Sequence, residues 1–125
     1  MFTDKFLEVL KHEGVVSLVS WGSGIEPHIT NTWNSYLQTK SDGSLLIPAA
    51  GMTHLEADLA QNTKVIVTLG SRDVKGYNGY QGTGFKFYAE ADLKDSGLDF
   101  DAMKEKYPFI RKVLILHPQE MKQLL

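Results

Sequence analysis

The chain has 125 residues, 42% hydrophobic and 22% charged, with a formal charge of −2; that is the balance of a single soluble domain spanning residues 1–125, long enough to bury a core. With no cysteine, disulfides, thiolate metal sites and thiol nucleophiles are excluded, and redox chemistry has to come from a bound cofactor. No basic cluster suggests nucleic acid, no apolar run is long enough for a membrane helix, and no apolar signal region follows Met1-Phe2-Thr3-Asp4-Lys5, so a cytoplasmic protein is expected.

The first element reads as a helix. Thr3 caps it, Phe6, Leu7 and Leu10 recur at helical spacing, and Gly14 stops it. Val15 to Trp21 is β-branched and reads as a strand, and Gly22-Ser23-Gly24 as a turn. His28 to Gln38 reads as a second, long strand, with Ile29, Asn31, Trp33, Ser35 and Leu37 on one face and Thr30, Thr32, Asn34 and Tyr36 on the other. Ser41-Asp42-Gly43 marks a hairpin into a third strand, Ser44 to Pro48.

Ala49-Ala50-Gly51-Met52 is a loop of small residues. It leads into a short helix, Thr53 to Gln61, whose Thr53-His54-Leu55-Glu56 start reads as a capping box. Thr63 to Leu69 is a fourth strand, and Gly70 to Gly84, rich in glycine and polar residues, is the longest loop. Phe85 to Leu93 alternates as a fifth, half-buried strand. Asp95 to Lys106 contains a helix that Tyr107-Pro108 ends, and Arg111 to Leu116 is a last strand, followed by a short helix begun by Pro118. Six short strands with small helices between them indicate a mainly β barrel or sandwich.

Three stretches carry chemistry. Ala50-Gly51-Met52 enters a helix start at Thr53, where backbone N–H groups attract an anion, although Thr53 and Glu56 capping each other explains the pattern equally well. Glu56 brings unfavourable negative charge there, and Arg72, next to Ser71, is the cation best suited to offset it and hold a phosphate. Asn31-Thr32-Trp33-Asn34-Ser35-Tyr36 puts amides and hydroxyls on both faces of a strand. That suits a flat heteroaromatic with a polar rim, and it also suits a core Trp33 with polar groups in water. Gly82-Thr83-Gly84 permits close approach of a ligand or simply a tight strand entry. His12, His28, His54 and His117 lack metal-ligand spacing, and no Gly-x-Ser-x-Gly elbow is present, so neither a metal nor a catalytic residue is assigned.

Taken in order, Glu13-Gly14-Val15-Val16, Pro27-His28, Asn31-Thr32-Trp33-Asn34-Ser35-Tyr36-Leu37, Pro48, Gly51-Met52, Glu56-Ala57, Thr68-Leu69-Gly70-Ser71-Arg72, Asn78-Gly79 and Gly82-Thr83-Gly84-Phe85 resemble the small FMN-binding proteins of sulfate-reducing bacteria. These belong to the FMN-binding split-barrel superfamily, with pyridoxamine 5′-phosphate oxidase as its best-known enzyme. The resemblance implies a six-stranded antiparallel Greek-key split barrel with short helices, working as a homodimer with non-covalent FMN near the subunit boundary. It implies Asn31, Thr32, Trp33, Asn34, Ser35 and Tyr36 for the ring and ribityl chain, and Pro48, Ala49, Ala50, Gly51, Met52, Thr53 and His54 along the path to the phosphate. Ser71 and Arg72 would assist there, and Gly82, Thr83 and Gly84 would close over the ring.

The chain departs from that family at His54 and Leu55, where lysine and threonine are expected, at Asp73 in place of lysine, and at Phe109 in place of tryptophan. Three functions follow from the resemblance: a small redox or electron-transfer carrier with no nucleic-acid or membrane partner; an FMN-dependent oxidoreductase, such as a flavin or metal-chelate reductase or a pyridoxamine 5′-phosphate oxidase-like enzyme; or a non-redox module for flavin, haem or deazaflavin.

Overall fold

The structure is a computed structural model and describes residues 2–22, 24 and 26–125. In chain order the elements are α1 (Asp4–Leu10), β1 (Val15–Ser20), β2 (His28–Trp33), a 3₁₀ turn (Asn34–Tyr36), β3 (Gln38–Thr39), β4 (Leu45–Ala49) and α2 (Thr53–Leu59). There follow β5 (Lys64–Lys75), a second 3₁₀ turn (Tyr77–Gly79), β6 (Gln81–Lys94), α3 (Leu98–Lys106) and β7 (Lys112–Gln123). Residue 23, part of the expected turn after β1, lies outside the described residues.

The strands form one antiparallel sheet in the order β2-β1-β5-β6-β7-β4-β3, curled as a split barrel. Among the described residues there are seven strands rather than six, the extra one being the two-residue β3. The inside is apolar. Phe6 and Val9 of α1 plug it, packed on Val16, Leu18, Val67, Phe85 and Phe87, with the Phe6 ring edge-on to both Phe85 and Phe87. α3 covers the outer face of β4 and β7 with a second, smaller core of Met103, Leu46, Ile110, Val113 and Ile115. Thr3 caps α1 as expected, accepting from the Phe6 N–H.

Five expectations need correction. β2 stops at Trp33 instead of running to Gln38, because Asn34 turns inward and the chain winds into a 3₁₀ turn. The Gly70–Gly84 stretch is not a loop. β5 continues to Lys75, β6 starts at Gln81, and Gly70 pairs with Gly84 in register. The glycines allow close backbone passage: a Cβ on Gly70 would sit 2.6 Å from the Thr83 carbonyl oxygen.

No helix follows Pro118. That residue lies within β7, opposite Ala89, beyond the last β4 pairing at Leu116, so its missing N–H costs no bond to β4. Gly14 does not terminate α1, which ends at Leu10 with Lys11 as its cap. Gly14 is instead where the chain crosses β5, since a Cβ there would lie 1.9 Å from the Gly70 carbonyl oxygen.

The capping box does not form either. Met52, left-handed at φ 62°, starts α2 without a side-chain cap, and Glu56 reaches the strands instead.

Candidate ligand groove on the open side of the barrel

β2 and the β4–α2 connection lie side by side. Between them is a shallow cavity of about 320 Å³, lined by Thr30, Asn31, Thr32, Trp33, Tyr36, Pro48, Ala50, Gly51, Met52 and Phe109. A second chamber of about 380 Å³ adjoins it and shares Thr30 and Met52, adding His28, Ile29, Thr53 and His54. The two segments singled out in the sequence therefore converge on one continuous groove, aromatic at one end and polar with two imidazoles at the other.

The aromatic end is a built wall. Tyr36 meets Tyr107 and Phe109 edge-on, with ring centroids 5.2 and 6.2 Å away. Trp33 and Phe109 keep 47% and 57% of their surface exposed, so apolar ring faces remain available to a ligand. Thr32 is buried, and Asn31 donates to the Ser17 hydroxyl at 2.8 Å, which ties its side chain across to β1.

The loop between β4 and α2 is held from behind. The Arg111 backbone N–H donates to the Ala49 carbonyl, its Nε to that of Ala50 at 3.1 Å and its Nη2 to that of Gly51 at 2.9 Å. Nη2 also pairs with Glu56 at 2.8 Å, and Lys112 binds the other Glu56 oxygen. These two cations, Lys112 foremost, hold the Glu56 carboxyl below its usual range. Glu56 is thus neutralised by Arg111 and Lys112, not by Arg72 as the sequence suggested.

Behind the other end, buried Asp58 accepts from the Ser20 hydroxyl at 2.7 Å and pairs with His28 Nδ1 at 2.8 Å. The His28 bond, then the Ser20 bond, holds the Asp58 carboxyl below its usual range.

A model of the family described as pyridoxamine 5′-phosphate oxidase matches residues 2–125 of the chain. The chain belongs to that family. It is 40% identical over 116 residues to an FMN-binding protein of Nitratidesulfovibrio vulgaris (strain DSM 19637 / Miyazaki F), with 93% of each chain covered. Among solved structures, HupZ of Group A Streptococcus matches with a TM-score of 0.81 at 14% identity, over 99% of this chain and 94% of that one. An FMN-binding protein from Syntrophomonas wolfei subsp. wolfei matches with a TM-score of 0.69 at 16% identity, over 88% and 76%. At such identities the two structures show that the fold is shared; the family itself rests on the sequence matches.

Within this member of the pyridoxamine 5′-phosphate oxidase family, the sequence-derived site residues divide into three groups. Asn31, Thr32, Trp33, Tyr36, Pro48, Ala50, Gly51, Met52, Thr53 and His54 line the groove. Asn34, Ser35, Ala49 and Gly84 do not. The Asn34 amide is spent on backbone carbonyls inside the fold, and Ser35 donates to Glu13 at 2.7 Å. Ala49 and Gly84 are buried in the sheet.

Ser71, Arg72, Gly82 and Thr83 gather in a separate cavity of about 470 Å³ that shares no lining residue with the groove. Within one chain they do not meet the segment from Ala50 to His54. Sequence reasoning did not single out His28, Thr30, Arg111 or Asp58 as site residues. Thr30 and His28 share the period of Thr32 and were legible from it. Arg111 reaches Gly51 across 60 positions and Asp58 reaches His28 across 30, which no local pattern encodes.

Proposed function

We propose that the chain is a non-covalent FMN-binding flavoprotein that works as a homodimer and serves as a small redox carrier. The observation that carries this reading is the continuous groove in which the polar strand β2 and the start of α2 meet. The donor set fits the group: Trp33, Tyr36 and Phe109 for a flat ring system, Thr30, Asn31 and Thr32 for its polar rim, and Thr53, His28 and His54 for the phosphate tail. The 40% identical relative carries the name FMN-binding protein, which supports the same cofactor. Bound FMN would supply one- and two-electron redox chemistry; the protein's part is to bind, orient and shield it.

Two features support the pairing. Ile29 and Trp33 on the edge strand β2 and Val15 beside them on β1 are 69%, 47% and 48% exposed, with Val15 opposite Trp33 in register. That apolar patch suits a second copy. A second copy is also the source from which Ser71, Arg72, Gly82 and Thr83 reach the flavin, since they stand apart from the groove in a single chain.

The test is the absorbance spectrum and native mass spectrum of untreated protein. Flavin bands with one FMN per chain and a mass of two chains are expected. A haem Soret band, or colourless protein that ignores added FMN, would refute the cofactor. A carrier is reduced slowly by NADH or NADPH and rapidly by a reduced one-electron donor in stopped flow. Fast, saturable reduction by a nicotinamide would place the protein among the FMN-dependent reductases instead.

A further inference from the structure

The connection between α3 and β7 carries a charge asymmetry that the flavin reading leaves unused. α3 is acidic in its first turn, at Asp99 and Asp101, and basic in its last, at Lys104 and Lys106. From Lys104 to Lys112 the chain sets Lys104, Lys106, Arg111 and Lys112 against Glu105. Glu56 arrives from α2 and pairs with Arg111 and Lys112. These four cations against two carboxylates leave a local positive excess on a chain whose formal charge is −2.

Neither lysine of α3 pairs with an acid among the described residues. Lys104 Nζ donates to the carbonyls of Pro108 at 2.7 Å and Ile110 at 2.9 Å, and Lys106 Nζ to the Gln38 side-chain oxygen at 3.1 Å. All three acceptors are neutral, so both ammonium groups keep their field. Lys104 thereby braces the turn that carries Phe109. Lys106 Nζ lies 5.5 Å from the centre of the Tyr107 ring, which is itself 5.9 Å from that of Phe109. Pro108 and Phe109 stand exposed between these lysines and Arg111, an apolar centre within a basic rim.

Phe109 also lines the aromatic chamber of the groove, so a flat ring seated there lies one side chain from this surface. The patch assigned to the second copy differs in kind, since Ile29, Trp33 and Val15 are all apolar. Lasting contacts exclude charge from their centre, whereas brief electron-transfer encounters are small and are steered by charges at the rim. We propose that Phe109 and Pro108, with Lys104, Lys106 and Arg111 around them, dock a one-electron carrier protein whose redox centre is ringed by acidic side chains. The proposal rests on the flavin reading and names the class of its redox partner. Each encounter passes one electron from the carrier's reduced centre, which is oxidised, to the cofactor beside Phe109. Two encounters, with protons from solvent, complete a two-electron reduction.

The experiment is an amide NMR titration of the full-length holoprotein with an oxidised plant-type ferredoxin, an acidic carrier, paired with stopped-flow reduction of the holoprotein by the reduced form. Broadening of the Lys104, Lys106, Phe109 and Arg111 amides is expected, and cytochrome c, a basic carrier, should leave them unmoved. The reduction rate should fall about tenfold or more between about 20 and 500 mM salt, as screening shortens the reach of the rim. Lys106→Glu should slow reduction about tenfold in low salt and about twofold or less in high salt. Lys122→Glu makes the same change in net charge at the other end of β7 and should act by less than about twofold. Glu105→Lys should speed reduction severalfold in low salt.

A rate that rises with salt or ignores it, or equal effects of Lys106→Glu and Lys122→Glu, overturns the docking face while leaving the flavin reading intact. So does broadening confined to other surfaces, or equal broadening by cytochrome c. Protein without flavin bands overturns the flavin reading, and the amide map with ferredoxin, together with its loss in high salt, then decides the face by itself. Should Lys106→Glu not fold, Glu105→Lys and the salt dependence of the unsubstituted protein decide.

Discussion

Replacing Asn34 by Asp tests whether the end of β2 is fixed by an internal amide rather than by a ligand. Asn34 has no exposed surface, and its Nδ2 donates to the carbonyls of His12 at 2.9 Å and Gly70 at 3.0 Å, with that of Val9 at 3.4 Å. An aspartate of the same shape removes both N–H groups and sets oxygen against three carbonyl oxygens. Each buried acceptor left without a donor costs about 1–3 kcal/mol, so two of them imply a loss of roughly 2–6 kcal/mol. A protonated aspartate recovers one donor and an ionised one recovers none. Burial and the facing carbonyls therefore raise its folded pKa above the unfolded value.

The sign follows from linkage: the variant is least impaired below the unfolded carboxyl pKa and loses stability as pH rises through the raised value. Urea unfolding at pH 4 and pH 8 is the assay. A midpoint lower by roughly 1–2 M is expected at pH 8, with a smaller deficit at pH 4. A variant as stable as the unsubstituted protein at pH 8, or weaker at pH 4 than at pH 8, refutes the reasoning. Unchanged stability with lost flavin binding would make Asn34 a ligand residue after all.

Four further outcomes are expected. Gly14→Ala places a methyl 1.9 Å from a backbone oxygen and 2.9 Å from Asn34 Nδ2, so thermal unfolding should show a loss of about 1–3 kcal/mol or more. Gly51→Ala meets no atom within 4 Å and should unfold with the unsubstituted protein. The depressed Glu56 carboxyl contributes stability above the unfolded value of 4.5 and loses it as pH falls through the folded pKa; in acid denaturation Glu56→Gln should therefore flatten the limb below that value, and an unchanged limb counts against the Arg111–Glu56–Lys112 cluster. In the holoprotein, flavin emission should be quenched and recover on unfolding, and Trp33→Leu should brighten it; bright emission before substitution means that Trp33 does not touch the ring.

Much of the fold was legible because its signals are local. Thr3 capping α1 and the strict alternation from Phe85 to Leu93 are read from neighbours a few residues away. The alternation of β2 likewise put Thr32 and Trp33 on opposite faces, but it left open which is inside; the structure buries Thr32 and exposes Trp33. The failures share one cause, which is that the deciding partner is distant in sequence. Gly70, Ser71 and Gly82 look like turn residues, yet their glycines serve a tight cross-strand ladder. Pro118 looks like a helix start until one sees that β4 does not extend beside it. Glu56 looks like a cap until Arg111 and Lys112 arrive from β7 and the residue before it. The site followed the same rule: β2 and the β4–α2 loop were found from their own composition, whereas Asp58 and Arg111 act across the fold.

Met52 stands at the waist of the groove, lining both chambers while its backbone is held left-handed. Position 52 therefore cannot be tuned for one chamber alone: any replacement alters the room for a ring and for its tail together. Only glycine or asparagine accepts that backbone readily, and either would trade a pliant thioether for a wider, less apolar neck. A library aimed at new ligands would do better to leave this residue fixed and vary Phe109, which lines the aromatic chamber alone.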